Sequence, residues 1–328
     1  MQSIKETLTN NLRRLAENIG FLINPLILKV KGENSQLLIF YFHGLYESAA
    51  QKELHHIDPQ KNMTVNQFDE FVNYFLSHHY IFLKPEDLLA DLKIENKYVM
   101  ITFDDGYFNN MLALDVLNKY KIPSVFFITA NNVINNRSLW WDIIYKYRFK
   151  QGVSELKIQN EQELLKQLKY EAIDKYILEN FGSDSFKPWS DADRPLTEKE
   201  VRLLANSPYA VIGNHTFNHA ILPNYNKEEI TDEISRSNAF LKNLTGITPT
   251  SIAFPNGNFN KICLDVAEEI GFRVAFNAVP KKNNLPVDNH RLIFLNRFMA
   301  SNNYIKHYGS FYRVGYTPGS IKARLRNH

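Results

Sequence analysis

Between Tyr98 and Tyr107 the chain reads Tyr-Val-Met-Ile-Thr-Phe-Asp-Asp-Gly-Tyr, and this stretch restricts the fold more than any other. Val99 to Phe103 is a short apolar, β-branched run of the kind that forms a strand covered on both faces. Two carboxylates and a glycine end it, and Met111, Leu112, Leu114, Val116 and Leu117 then set up a helical pattern. A buried strand, a loop and a helix in that order form part of a parallel βα unit. Asp104 and Asp105 therefore sit at a strand's carboxyl end, where α/β folds collect catalytic groups. A cation bound by one carboxylate leaves its neighbour free to move a proton.

A second segment has the same grammar. Ala210–Gly213 is a short apolar run followed at once by His215-Thr-Phe-Asn-His219. Histidines at i and i+4 share one face of a helical turn and can bind one metal. One Asp with two His is a facial set that leaves coordination positions open for water and substrate, as catalysis requires. Neither motif is diagnostic alone: a solvated acidic loop and a pair of packed histidines are the ordinary alternatives.

The 328 residues, 44% of them hydrophobic, suffice for one large α/β domain or two smaller ones. A net charge of +3 is too small to imply nucleic-acid binding. With Cys263 as the single cysteine, no intrachain disulfide can form, and its place in the apolar-periodic helix near Asn260–Ile270 marks it as a buried thiol. Residues 1–18 are polar and of mixed charge, without the pattern of a signal peptide, so the expected location is cytoplasmic. Arg13, Arg14 and the Phe21–Leu28 patch offer a peripheral membrane contact, and the basic tail (Lys306, Arg313, Lys322, Arg324, Arg326) suits an anionic surface or a solvated helix.

In chain order, residues 1–33 read as a helix and an apolar connector, and Gln36–Phe42 as the first strand, ending at His43. Capping boxes open helices at Thr64, Thr197 and Asn226, and further strands are expected at 124–129, 251–254, 272–276 and 292–298. Residues 131–208 are too many for a structureless loop and read as a helical insertion between the third and fourth strands, with helix over Glu161–Asn180. Its tryptophans, Trp140, Trp141 and Trp189, could stack on a sugar ring, although anchoring the insert is the commoner use. Seven strands alternating mostly with helices indicate a parallel α/β arrangement, leaving barrel and open sheet undecided.

Thr102-Phe-Asp-Asp-Gly106 and His215-Thr-x-x-His219 resemble the first two signature motifs of the polysaccharide deacetylases, carbohydrate esterase family 4, which share the NodB-homology domain. Ala253-Phe-Pro-Asn-Gly257 resembles a variant of their third motif, and the likeness runs from about Leu37 to Phe298. The resemblance implies a distorted (β/α)7 barrel over residues 34–300, with the insertion at 131–208, flanked by an extension (1–33) and a basic tail (301–328). It implies a metal-dependent hydrolase that removes an acyl group, usually acetyl, from the nitrogen of an amino sugar in a glycan or glycan precursor, and the lack of an export signal points to a precursor for cell-surface glycan biosynthesis. A divalent metal, zinc by expectation, would be held by Asp105, His215 and His219, with Asp104 as general base. The backbone N–H of Tyr107 is the expected oxyanion donor, and Pro255, Asn256 and Trp141 the expected substrate contacts.

Two departures stand out. Ala253 occupies the place of the third-motif arginine that tethers the catalytic Asp in many relatives, and the strand Leu292–Phe298 lacks the histidine that serves many of them as general acid. The last strand of a closed barrel lies beside the first, so Arg297 is expected to fix Asp104 instead, with His43 the candidate acid. Another C–N hydrolase on this scaffold, acting on a formyl group or small amide, and a non-catalytic glycan-binding protein are the alternative readings.

Overall fold

A computed structural model describes residues 18–33, 36–60, 63–300 and 305–315. Among the described residues, seven parallel strands form the main path of a ten-stranded sheet: β1 (Gln36–Phe42), β2 (Lys97–Phe103), β3 (Ser124–Ile128), β4 (Ala210–Asn214), β5 (Ser251–Ala253), β6 (Val274–Phe276) and β7 (Ile293–Leu295), with Tyr80–Phe82 added in parallel beside the start of β2. They pair in chain order from β1 to β7. After β7 the chain bends at Asn296-Arg297, and Phe298–Met299 pairs in parallel with Phe40–Tyr41 of β1. The sheet thus returns to its own first strand and makes a nearly closed barrel, with Asn283–Asn284 paired antiparallel to the start of β1.

The period of two along each strand divides the apolar residues between two layers. Leu37 and Ile39 of β1 face inward with Tyr98 and Met100 of β2, Val125 and Phe127 of β3, and Val274 and Phe276 of β6. Leu38, Phe40, Phe42, Val99, Ile101 and Phe103 face outward beneath the helix Val65–Ser77, which contributes Phe68, Phe71 and Phe75. That register carries past the strand ends: Tyr41, Thr102 and Asp104 continue the inward positions toward the mouth of the barrel.

Capping boxes at Thr64, Thr197 and Asn226 start helices as their sequences dictate, and Gly246 and Gly271 end helices in the left-handed conformation. The segment between β3 and β4 is helical, with helices Ala130–Asn135, Trp140–Lys150, Glu155–Leu165, Tyr170–Phe181 and Glu198–Ala205. The stretch read as one helix, Glu161–Asn180, is in fact split, because the chain turns at Lys166–Lys169 between two helices. Within the insertion a buried ion pair, Lys146 to Asp193 at 2.5 Å, ties the helix Trp140–Lys150 to the loop before Glu198–Ala205, and Asp193 also accepts from the backbone N–H groups of Trp189 and Ser190.

Three further readings change. The strand expected at Leu292–Phe298 is interrupted, since its residues serve two different partners on either side of the bend. The apolar connector is helical over residues 18–31. Arg313 is no solvated tail cation but an ion-pair partner of Glu33, both largely buried. Residues 1–17, with Arg13 and Arg14, and residues 316–328, with Lys322, Arg324 and Arg326, lie outside the described residues.

Candidate active site at the mouth of the barrel

The carboxyl ends of the strands surround a cavity of about 300 Å³ whose wall includes Asp104, Asp105, His215, His219 and Arg297. Asp104 and Asp105 follow β2 and turn apart. Asp105 adopts φ 74 and Gly106 φ 77. Left-handed backbone at a non-glycine residue costs roughly 1–2 kcal/mol, and the glycine after it removes a second such penalty. This reversal lets two neighbouring carboxylates face different partners.

Asp104 meets a guanidinium. Nη1 and Nη2 of Arg297 donate to its two oxygens at 2.7 and 2.8 Å. Nη1 also donates to Thr102 Oγ1 at 2.9 Å and Nε to the Asn277 carbonyl at 2.9 Å, so the arginine is fixed at each end of its fork. Arg297 is 1% exposed. A bidentate pair in such surroundings fixes the plane of the carboxylate and still leaves a lone pair on each oxygen. Ile293 and Leu295 of β7 face inward, and Arg297 continues their period of two into the barrel.

Asp105 meets two imidazoles. Its Oδ1 lies 3.2 Å from Nε2 of both His215 and His219, and the three donor atoms lie within 4.8 Å of one another. Nδ1 of His215 is 2.8 Å from the Ala253 carbonyl, a contact that needs a proton on Nδ1 and leaves Nε2 with a lone pair aimed at a carboxylate oxygen. Two such acceptors face each other favourably only with a cation between them. Asp105 Oδ2 is buried without a hydrogen-bond partner. The donor set therefore fits a divalent metal. Burial pushes the Asp105 carboxyl up, and imidazoles that carry a proton on Nε2 pull it the other way and below its ordinary value, the role a bound cation would take over. Burial pushes the His219 imidazole down, which favours its neutral, metal-binding form.

The spacing of the two histidines suggested a helical turn, and the structure corrects that. His215–His219 is a bend in which Thr216 (φ 63) and His219 (φ 53) are left-handed. Side chains hold it in place of helical hydrogen bonds. Asn214 Oδ1 accepts from the Thr216 N–H at 2.7 Å, Thr216 Oγ1 accepts from the Ala220 N–H at 2.9 Å, and buried Glu233 accepts from the Asn218 N–H at 2.9 Å. Strain of roughly 1–3 kcal/mol per residue persists because these contacts over-determine the loop.

The remaining expected residues divide. His43 lines the cavity at the end of β1, its carbonyl held by Asn110 Nδ2 at 2.6 Å. Trp141 lines it too, packed 4.5 Å from the His219 ring. Its Nε1 donates to the Tyr107 hydroxyl, which in turn donates to buried Asp142 at 2.6 Å. Trp141 is thus at once an anchor and a wall. Around Tyr107 the Gly106 carbonyl accepts from Leu196 and the Phe108 N–H donates to Arg194, while none of the described backbone hydrogen bonds uses the Tyr107 N–H. Asn256 (φ 55) lines the cavity, whereas Pro255 is buried and off the wall. The fixed proline ring opens the turn, and the residue after it is the one presented. Trp189 lies outside the cavity lining and packs edge-on to His56.

Sequence reading missed one side of the cavity. Asp58 and Gln60 from the loop after β1, and Gln159, Gln162 and Lys166 from the helix Glu155–Leu165 and its cap, all line it. Gln162 Nε2 donates to Asp58 Oδ2 at 3.0 Å, and burial pushes the Asp58 carboxyl up. The i, i+3, i+7 spacing of the last three is the one available signal, since it puts them on a single helix face.

Residues 92–275, more than half of the chain, match the family model described as Polysaccharide deacetylase. No curated protein matches the chain. Among solved structures, the fold is similar to that of a Streptococcus pyogenes deacetylase, PplD, in complex with acetate. There the identity is 17%, 82% of this chain and 94% of that chain are covered, and the TM-score is 0.56. IcaB from Ammonifex degensii is similar at 17% identity, with 86% and 98% covered and a TM-score of 0.55. A de-N-acetylase from Aggregatibacter actinomycetemcomitans follows at 16%, with 82% and 96% covered and a TM-score of 0.55. At these identities the likeness is one of fold.

Proposed function

Because the chain belongs to the polysaccharide deacetylase family, we propose that it hydrolyses the N-acetyl amide of an amino sugar in a glycan or glycan precursor, using a divalent metal held by Asp105, His215 and His219. The observation that carries this reading is the pairing of an open Asp-His-His set with a guanidinium-clamped carboxylate at the floor of one cavity.

Amide hydrolysis needs an activated water, a stabilised oxyanion and a proton for the leaving amine. A bound divalent ion supplies water of lowered pKa and polarises the carbonyl. The chain's own residues supply the rest. Asp104 takes the proton of the attacking water as general base, and Arg297 holds its carboxylate in a fixed plane so that the remaining lone pairs face a constant direction. The Tyr107 N–H, at the turn after Gly106, donates to the developing oxyanion. His43 delivers the proton to the departing amine from the end of β1. Trp141 and Asn256 bound the sugar, and Trp141 also packs on the His219 ring.

Acetate release from a panel of N-acetyl sugars in polymeric, lipid-linked and nucleotide-linked form tests the assignment. Turnover of at least one, lost in Asp104→Asn, is the expected result. Release of formate but not acetate from matched substrates would move the activity to the other C–N hydrolases.

A further inference from the structure

The helix at residues 18–31 is docked by one face only. Phe21 packs edge-on against Phe311 of the helix Ile305–Val314, with ring centroids 5.2 Å apart. A Cβ on Gly20 would lie 2.5 Å from that same ring, so the contact depends on glycine. Asn24 is buried on the same side. The opposite face carries Ile19, Leu22, Ile23, Leu26 and Val30, whose spacing places them on one stripe about 100° wide. All five are exposed, Leu22 by 75%, Leu26 by 62% and Val30 by 84%. A contiguous apolar stripe of this kind on a docked helix marks an interaction surface rather than scattered surface hydrophobics.

The charges around the stripe identify what covers it. Lys29 and Lys31 are exposed at the helix's end. The packing partner Ile305–Val314 belongs to a stretch in which no Asp or Glu follows Asp288, and Lys322, Arg324 and Arg326 come within eleven residues of Gly315. Apolar residues on one face with cations beside them are the composition of a helix that lies in the plane of a membrane surface. A twofold contact through this stripe would instead bring each copy's basic set against its own image, which disfavours self-association. Among the described residues no helix is long and apolar enough to cross a membrane. We propose that the Ile19–Val30 stripe rests in the interface of an anionic bilayer, with Lys29 and Lys31 beside its headgroups.

Co-sedimentation of the full chain with vesicles tests this. Wild-type protein should pellet with vesicles of phosphatidylglycerol and phosphatidylcholine at low salt, several-fold less with phosphatidylcholine alone, and less as salt rises. The double variant Leu22→Glu/Leu26→Glu should bind anionic vesicles about tenfold or more weakly while its circular dichroism and melting curve stay unchanged, because both side chains are exposed. Lys29→Gln/Lys31→Gln should lose part of the preference for anionic vesicles. Failure of the wild type to pellet with anionic vesicles at low salt would overturn the proposal. So would a dimer in sedimentation velocity that Leu22→Glu/Leu26→Glu converts to monomer, since the stripe's occupant would then be a second copy. The readout is binding, so the outcome is independent of any deacetylase activity.

Discussion

Asp104 and Asp105 are adjacent in sequence, equally buried, and set in opposite surroundings. The Asp104 half of the floor is complete within the protein: a guanidinium that is always charged satisfies both carboxylate oxygens. The Asp105 half is incomplete, because one carboxylate oxygen has no partner and two imidazoles converge on the other. The first is built to hold a charged group still, the second to receive a cation. One half should therefore answer to geometry and the other to metal and protons.

The largest effect should separate them outright. His215→Ala with His219→Ala should reduce bound metal from about one equivalent to none, and turnover should vanish with it. Elemental analysis of the purified protein reads this directly. Undiminished metal in the double variant would break the assignment of the Asp105 half. Asp104→Asn comes next: metal content should stay at the wild-type level while kcat falls roughly a hundredfold or more. Asp105→Asn, one residue away and equally conservative, should instead lower metal affinity, with activity recovering as metal is added.

Arg297→Lys sharpens the comparison within the first half. Lysine keeps a positive charge but cannot reproduce two parallel donations to Asp104 together with those to Thr102 and the Asn277 carbonyl. The expected loss is about tenfold in kcat with KM and metal content nearly unchanged. Arg297→Met removes the charge and leaves a buried carboxylate unpaired, which should cost roughly 3–5 kcal/mol of stability in chemical denaturation.

How much of this was legible follows the range of the interactions. The Asp-Asp turn was readable because an apolar strand, its end and the following helix lie within twenty residues. The capping boxes at Thr64, Thr197 and Asn226 were readable for the same reason. Arg297 required a topological step, that a barrel's last strand returns to its first, and the break that shifts pairing from β6 to β1 after Leu295 was not visible. The histidine loop was misread because i and i+4 spacing is shared by a helical turn and by this bend. What decides between them, the contacts of Asn214, Thr216 and Glu233, is tertiary or needs left-handed residues that sequence does not announce. The wall made by Gln159, Gln162 and Lys166 stayed hidden, since a polar helix face toward a cavity has the same composition as one toward water.

The smallest effect concerns protons. In the Asp104 half both carboxylate oxygens are already filled by a guanidinium, so the proton test is read on the other half. In the Asp105 half, burial holds His219 below its ordinary value of 6.5, so the folded, metal-free protein resists a proton that the unfolded chain accepts. For a lowered histidine the unfolded state binds more protons in that window. The contribution to stability is therefore present above 6.5 and lost as the pH falls below it. Melting curves of metal-stripped protein at about pH 7.5 and about pH 5.5 should show a larger drop for wild type than for His219→Asn, which has no imidazole to protonate. Added metal should raise both the melting temperature and its dependence on pH for the wild type alone, because the ion and the proton compete for one nitrogen. An equal drop in the two proteins would mean that the Asp105 half does not distinguish protons from other charges, and the contrast with the clamped half would lose its electrostatic basis.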